Sequence, residues 1–166
     1  MAGAFTIEPL TLAHRRAVFS CGEPALDEFI RQYARQQQAR GLNRTYVALA
    51  AGGGDIAGYY SINASSVLTA ELPAAFKLPR YPVPVLRIGR LAVDARFQGQ
   101  GLGQLLLRHS LALAQEMAQR VGIFAVVVDA KHAQAAAFYK KLGFIEFASR
   151  PLSLYLAIGT LAAATG

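Results

Sequence analysis

The sequence predicts an α/β fold, with a mixed central sheet flanked by helices. Three observations carry this prediction. The run Ile123–Val128 is apolar throughout and rich in Val, as in a strand buried on both faces of a parallel sheet. The glycine-rich turn Gln98-Gly99-Gln100-Gly101-Leu102-Gly103 lies between an apolar strand pattern and a long amphipathic helix pattern. From residue 85 to 147 the order is strand, loop, helix, strand, helix, strand, which suits a sheet with crossover helices. A length of 166 residues fits one domain. We expect that domain over residues 1–158, with 159–166 a small, apolar tail that frays.

Each element has a local reason. Phe5–Leu10 reads as a first strand, followed by an irregular stretch to Gly22. Glu23–Gln38 reads as a helix. Pro24 suits a first turn, the acids Glu23, Asp27 and Glu28 sit early where the helix dipole favours them, and Gly41 follows as a stop. Leu26, Phe29, Ile30 and Tyr33 fall on one face, and Arg31, Arg35 and Gln38 on another. Arg44–Ala50 and Ile56–Ala64 read as strands joined by the loop Gly52-Gly53-Gly54-Asp55. Four prolines between Pro73 and Pro84 exclude a helix there and favour an extended loop. Val85–Val93 is a strand interrupted by Arg87 and Arg90, Asp94–Gln100 a loop, and Gly101–Arg120 a helix. Ile123–Val128, the helix Ala133–Leu142 ended by Gly143, and the strands Phe144–Phe147 and Leu152–Ile158 complete the chain.

Composition limits what the chain can do. Hydrophobic residues make up 54% and charged residues 16%, which excludes a disordered chain. The single cysteine, Cys21, has no partner for an internal disulfide, and three scattered histidines make no metal-ligand cluster. No apolar stretch is long enough to span a bilayer, and no basic-then-apolar leader opens the chain, so we expect a cytoplasmic protein without metal or membrane. The net charge is +7, carried by thirteen Arg and four Lys against ten acids. Arg suits phosphate recognition, and codon bias gives the same skew.

The glycine turn is the sharpest chemical signal. Glycines let a backbone turn tightly and approach a ligand, and the following helix start offers unpaired N–H groups to an anion such as pyrophosphate. It is not a P-loop, because Gly103 is followed by Gln104-Leu105 rather than Lys-Ser/Thr. Nor is it the dinucleotide fingerprint, because Gly99, Gly101 and Gly103 are spaced two and two. Gln98-x-x-Gly101-x-Gly103 after Leu91-Ala92-Val93-Asp94 resembles the acyl-CoA motif of the GNAT N-acetyltransferases. Phe138-Tyr139-Lys140-Lys141-Leu142-Gly143-Phe144 resembles the terminal motif of the same superfamily. A closer resemblance covers nearly the whole chain. Phe19-Ser20-Cys21-Gly22, Leu26-Asp27-Glu28-Phe29, Arg44-Thr45-Tyr46-Val47, Gly58-Tyr59-Tyr60, the run Pro79–Pro84 and Gly89–Asp94 are similar to GNAT-type toxins of type II toxin–antitoxin modules.

That resemblance implies a single GNAT-like domain that moves acetyl from acetyl-CoA to the α-amine of aminoacyl-tRNA and so blocks translation. It also implies a ribbon-helix-helix antitoxin as partner, and a homodimer. It places Leu91, Ala92 and Val93 on the pantetheine arm, and Gln98, Gly99, Gln100, Gly101, Leu102, Gly103 and Gln104 around the pyrophosphate, with Phe138 beside them. Tyr139 is implied as the general acid. A phenol near pKa 10 stays protonated at neutral pH and can protonate a departing thiolate. Ala133 stands near where many acetyltransferases carry Asn, a departure from the family pattern at one pantetheine contact.

The strand Val85–Val93 carries no acid to serve as a base. An α-amine near pKa 7.7–8.0 needs far less help than a lysine near 10.4, so an aminoacyl ester suits such a site. Glu28, Asp94 and Asp129 remain alternatives as bases, and His132 reads as lining rather than base. Arg31, Arg35, Arg40 and Arg44, with no acid among them, and Arg80, Arg87 and Arg90 could form a rim for tRNA phosphates, or a solvated face. Two other readings stay open: a GNAT enzyme for a small-molecule or protein amine, and a non-enzymatic RNA-binding protein on the same fold.

Overall fold

The computed structural model describes residues 5–165. Seven strands form one hydrogen-bonded order, β1-β2-β3-β4-β5-β7-β6. They are β1 (Phe5–Pro9), β2 (Arg44–Ala50), β3 (Ile56–Val67), β4 (Val83–Val93), β5 (Ala125–Asp129), β6 (Ile145–Phe147) and β7 (Arg150–Ala157). The β4–β5 pair is parallel, and the β1–β2, β2–β3, β5–β7 and β6–β7 pairs are antiparallel, so the sheet is mixed as the sequence predicts. The chain forms two compact units, Met1–Asn63 with Gly89–Ser110, and Ala64–Ile88 with Leu111–Gly166.

In the first unit, helix α1 (residues 24–39) packs on β2 and β3. It opens as α-helix at Pro24–Glu28, widens to a π-helical turn at Phe29–Tyr33 and closes as α-helix at Ala34–Ala39. Leu26, Phe29, Ile30 and Ala34 are buried against Leu10, Phe19, Val47, Ile56, Tyr59 and Ala92. Large side chains buried this way contribute about 1.5–3 kcal/mol each. Gly58 sits in β3 where a Cβ would lie 3.0 Å from the Ala92 carbonyl oxygen and 3.0 Å from Leu106 Cδ1. Only glycine lets β3 run that close to β4 and to helix α2 (Leu102–Ala118).

In the second unit, Val67, Leu72, Val83, Val85, Ala125, Val127, Phe147 and Tyr155 form a separate buried cluster. Val126, Val127 and Val128 are fully buried, as their continuous apolar pattern requires. Helix α3 (Ala133–Lys141) follows β5; His132 is its N-cap and its Nδ1 accepts from the Ala135 N–H at 3.2 Å.

Two expectations change. The proline-rich stretch Pro73–Pro84 is not wholly extended: one short 3-10 turn, Thr69–Glu71, precedes it, and a second, Ala74–Phe76, lies within it. Pro73 supplies the extended N-cap that starts the second, and five residues separate it from the next proline, Pro79. The segment expected to fray is helical over Ile158–Thr165 (α4), continuing directly from β7, and Gly166 lies outside the described residues.

Candidate active site

The glycine turn lies in the first unit, at the exit of β4. Ala92 is buried in the core, whereas Leu91 and Val93 are only half-buried, as strand alternation dictates. The Asp94 N–H donates to the Ala57 carbonyl at 2.8 Å and fixes the strand end. Asp94 then caps a 3-10 turn at Ala95–Phe97 by accepting from the Arg96 N–H. Gly99 and Gly101 follow with φ of +80° and +81°, which L side chains rarely adopt, and a Cβ at either would meet no protein atom within 4 Å. The first bond of α2 runs from the Leu105 N–H to the Gly101 carbonyl at 3.1 Å. The N–H groups of Leu102, Gly103 and Gln104 are therefore the orphan donors of a long helix. Gly99, Gln100 and Gly101 are exposed. This arrangement fits a pyrophosphate with its backbone N–H groups.

The side chain of Gln98 is spent within the protein. Its amide donates to the Val93 carbonyl at 2.9 Å and to the Cys21 carbonyl at 3.2 Å.

Tyr139 lies in the second unit on α3, 6% exposed, with its ring edge-on to Phe138 and Phe144 at 5.2 and 5.7 Å. Burial, with the Asp129 carboxylate adding to it, pushes its phenol well above the ordinary tyrosine value. The group is thus a phenol, not a phenolate, throughout the neutral range. Phe138 is half-buried and supports that ring.

Two of the three alternative bases are occupied. Asp94 is 2% exposed and accepts from the Ser20 N–H at 3.0 Å and Arg96 Nε at 2.9 Å. Burial alone would raise its pKa, but the bonds from Arg96 and Ser20 outweigh it and hold the carboxyl low. Asp129 accepts from Arg87 at 2.6 Å and the Ser153 hydroxyl at 2.8 Å. Glu28 is exposed on α1. Burial, then Asp27, pushes the Cys21 thiol up to about 11, so it is not a nucleophilic thiolate.

The arginines divide by partner. In the first unit, Arg31 donates to the Phe19 carbonyl, and the Arg90 guanidinium stacks on Phe29, 3.8 Å from the ring centroid. In the second, Arg87 is bound to Asp129 and reaches the Ser65 hydroxyl at 3.3 Å. Arg40 and Arg44 are exposed and Arg35 is half-buried, all in the first unit; Arg80 is exposed in the second. The polar face of α1 is also thinner than its sequence suggests. Gln38 donates to the Leu10 carbonyl and accepts from the Thr45 N–H, both at 3.0 Å.

Sequence reasoning passed over Arg96 and Asp55. Arg96 bridges Asp94 and Asp55, and Arg15 joins Asp55 at 3.4 Å. The one local signal was an Asp two residues before the Arg, the spacing of an Asx-type cap.

Comparison with known proteins decides the family. Residues 11–144 match the acetyltransferase (GNAT) family. The chain belongs to the GNAT acetyltransferases. It is 37% identical over 140 residues to the tRNA-acetylating toxin of Mycobacterium tuberculosis (strain ATCC 25618 / H37Rv), covering 83% of this chain and 82% of that protein. It is 32% identical over 171 residues to the probable toxin TacT of Sinorhizobium fredii (strain NBRC 101917 / NGR234), covering 96% and 94%. Among solved structures, AtaT complexed with acetyl-methionyl-tRNAfMet superposes with a TM-score of 0.91 at 30% identity, covering 98% of this chain and 99% of that one. AtaT has also been solved, as a Tyr-to-Phe mutant, with acetyl-CoA and the C-terminus of its antitoxin AtaR (TM-score 0.82, 29% identity, 96% and 97% covered). No helix among the described residues is long and apolar enough to cross a membrane.

Proposed function

We propose that this GNAT acetyltransferase is the toxin of a toxin–antitoxin pair and acetylates the α-amine of aminoacyl-tRNA from acetyl-CoA in the cytoplasm, blocking translation. The observation that carries the reading is the 37% identity, over four-fifths of both chains, to a protein named for tRNA acetylation. The backbone N–H groups of Gln98–Gln104 hold the pyrophosphate, and Leu91–Val93 hold the pantetheine arm. The amine lone pair attacks the thioester carbonyl, the C–S bond breaks, and Tyr139 donates its proton to the departing thiolate. The ammonium proton formed on attack leaves to water, which returns one to Tyr139. Arg35, Arg40, Arg44 and Arg80 bind RNA phosphates. A ribbon-helix-helix antitoxin holds the enzyme inactive.

The test is incubation with labelled acetyl-CoA and charged or uncharged tRNA. Label on charged tRNA alone is the expected result; label on uncharged tRNA, or on neither, overturns the substrate. Tyr139→Phe should lower turnover about 100-fold or more, the usual share of a general acid, with acetyl-CoA affinity within about twofold. Undiminished turnover removes Tyr139 from proton transfer.

A further inference from the structure

A short segment, Phe19–Cys21, is gripped from two sides within the first unit. From α1, Arg31 donates to the Phe19 carbonyl, and Asp27 Oδ1 accepts from the Cys21 N–H at 2.8 Å. From the β4 exit, Asp94 Oδ2 accepts from the Ser20 N–H at 3.0 Å. The Ala95 N–H donates to the Ser20 carbonyl at 2.8 Å, and the Gln98 amide reaches the Cys21 carbonyl at 3.2 Å. Phe19 itself is 1% exposed, its ring edge-on to Tyr59 at 5.4 Å. The segment is therefore a fixed strap, and the main chain of each of its residues is bonded to the turn, to α1, or to both.

The turn needs such support. Ala95, Arg96 and Gln98–Gly101 are exposed, and both positive-φ glycines lie among them. An exposed glycine turn loses much conformational entropy when a ligand orders it. Anchoring it beforehand lowers that cost and raises affinity without adding a ligand contact. Gln98 is the last side chain before the glycines, and its amide clamps both the strand end and the strap.

We propose that Gln98 and Arg31 are positioning residues for the acetyl-CoA turn, Gln98 directly and Arg31 through the Phe19–Cys21 strap. This rests on the acetyltransferase reading of that turn. It also assigns Arg31 to acetyl-CoA affinity, although its sequence position suggests an RNA contact.

The experiment is calorimetric titration of the full chain with acetyl-CoA, without RNA, alongside melting temperatures and steady-state kinetics. Gln98→Leu and Gln98→Glu should each raise Kd about tenfold, the scale of one or two lost hydrogen bonds. Arg31→Met should raise it about threefold, and Arg31→Lys, which keeps a donor, should restore it. The kcat at saturating acetyl-CoA should stay within about twofold in Arg31→Met and Arg31→Lys, a split from Kd that general destabilisation does not produce. Arg31→Met should also leave the salt dependence of tRNA binding unchanged. Wild-type Kd in the two Gln98 variants overturns the clamp. A flattened tRNA salt dependence with unchanged acetyl-CoA affinity in Arg31→Met returns that residue to the RNA surface. If a Gln98 variant does not fold, Arg31→Met and its rescue by lysine decide the question. If the unmodified chain itself does not bind acetyl-CoA, the reading of the turn fails, and the clamp with it.

Discussion

Gly101→Ala divides the turn's role in the protein from its role toward the ligand. Gly101 holds φ at +81°, and a Cβ built there meets no protein atom within 4 Å. The penalty inside the protein is therefore conformational, about 1–2 kcal/mol for an L residue in the left-handed region. For a chain of this size, each kcal/mol corresponds to about 2–4 °C in Tm. Toward a pyrophosphate the same methyl stands in the approach to backbone N–H donors. Losing one charge-assisted bond costs about 1.5–3 kcal/mol, or about 10- to 100-fold in affinity. Gly41 is the matched control, with φ +74° and open space at its Cβ, but at the end of α1. Gly41→Ala should reproduce the fall in Tm with acetyl-CoA affinity intact. Differential scanning fluorimetry and calorimetric titration read the two effects separately. Gly101→Ala binding acetyl-CoA as tightly as the unmodified chain, with Tm lowered, would refute the reasoning, since the glycine would then serve the backbone alone.

Three further outcomes follow from the packing and the ion pairs. Gly58→Ala should destabilise by about 1–3 kcal/mol in urea unfolding, because the Ala92 carbonyl and Leu106 lie 3.0 Å from the new methyl; an unchanged midpoint would mean that β3 moves freely away. Arg35→Gln and Arg40→Gln should each reduce the slope of log affinity for tRNA against log salt by about one. Arg87→Gln should leave that slope alone and lower Tm instead, since Asp129 already holds its guanidinium at 2.6 Å. Finally, burial lowers the pKa of His109 below its ordinary 6.5, and the Tyr60 hydroxyl meets its Nδ1 at 2.7 Å. The unfolded chain thus binds the proton more readily, so this contribution is full above about pH 6.5 and is lost as pH falls through the lowered value. His109→Gln should flatten the acid limb of urea midpoint against pH, and an unaltered limb would show that the imidazole is not linked to folding.

Legibility in the sequence followed locality. The β5 strand, α2 and the glycine turn were readable because their signals lie within a few adjacent residues. The π-helical turn at Phe29–Tyr33 was not, because widening one turn leaves Leu26, Phe29 and Ile30 on the buried face expected of an ordinary helix. The helical tail was missed because its small residues carry no capping or periodic signal. The motif singled out Tyr139, but its raised pKa comes from burial, which only the fold supplies. Arg31, Arg87 and Arg90 looked alike as cations. Their partners are the Phe19 carbonyl, 12 residues away, Asp129, 42 away, and the ring of Phe29. Gln98 shows the same limit, since one of its acceptors lies 77 residues back.

The disposition of the carboxylates constrains which amine the site can use. Of the three acids considered as bases, Asp94 is bound by Ser20 and Arg96, Asp129 by Arg87 and Ser153, and Glu28 is exposed. A carboxylate held low by donated hydrogen bonds, as Asp94 is, is a weak base. A lysine-type amine near pKa 10.4 is about 0.04% neutral at pH 7, a deficit of over 4 kcal/mol. An α-amine near 7.7–8.0 is about 10% neutral, a deficit of about 1 kcal/mol. Esterification of the neighbouring carboxyl withdraws electron density and shrinks that deficit further. The difference favours an aminoacyl ester over a lysine side chain by more than 100-fold in the reactive form. The rate against pH should then rise with the pKa of the bound substrate amine, and it should shift when the aminoacyl group is exchanged for one of different amine basicity. A limb that stays at pH 6–7 whatever the amino acid would place the titrating base on the enzyme.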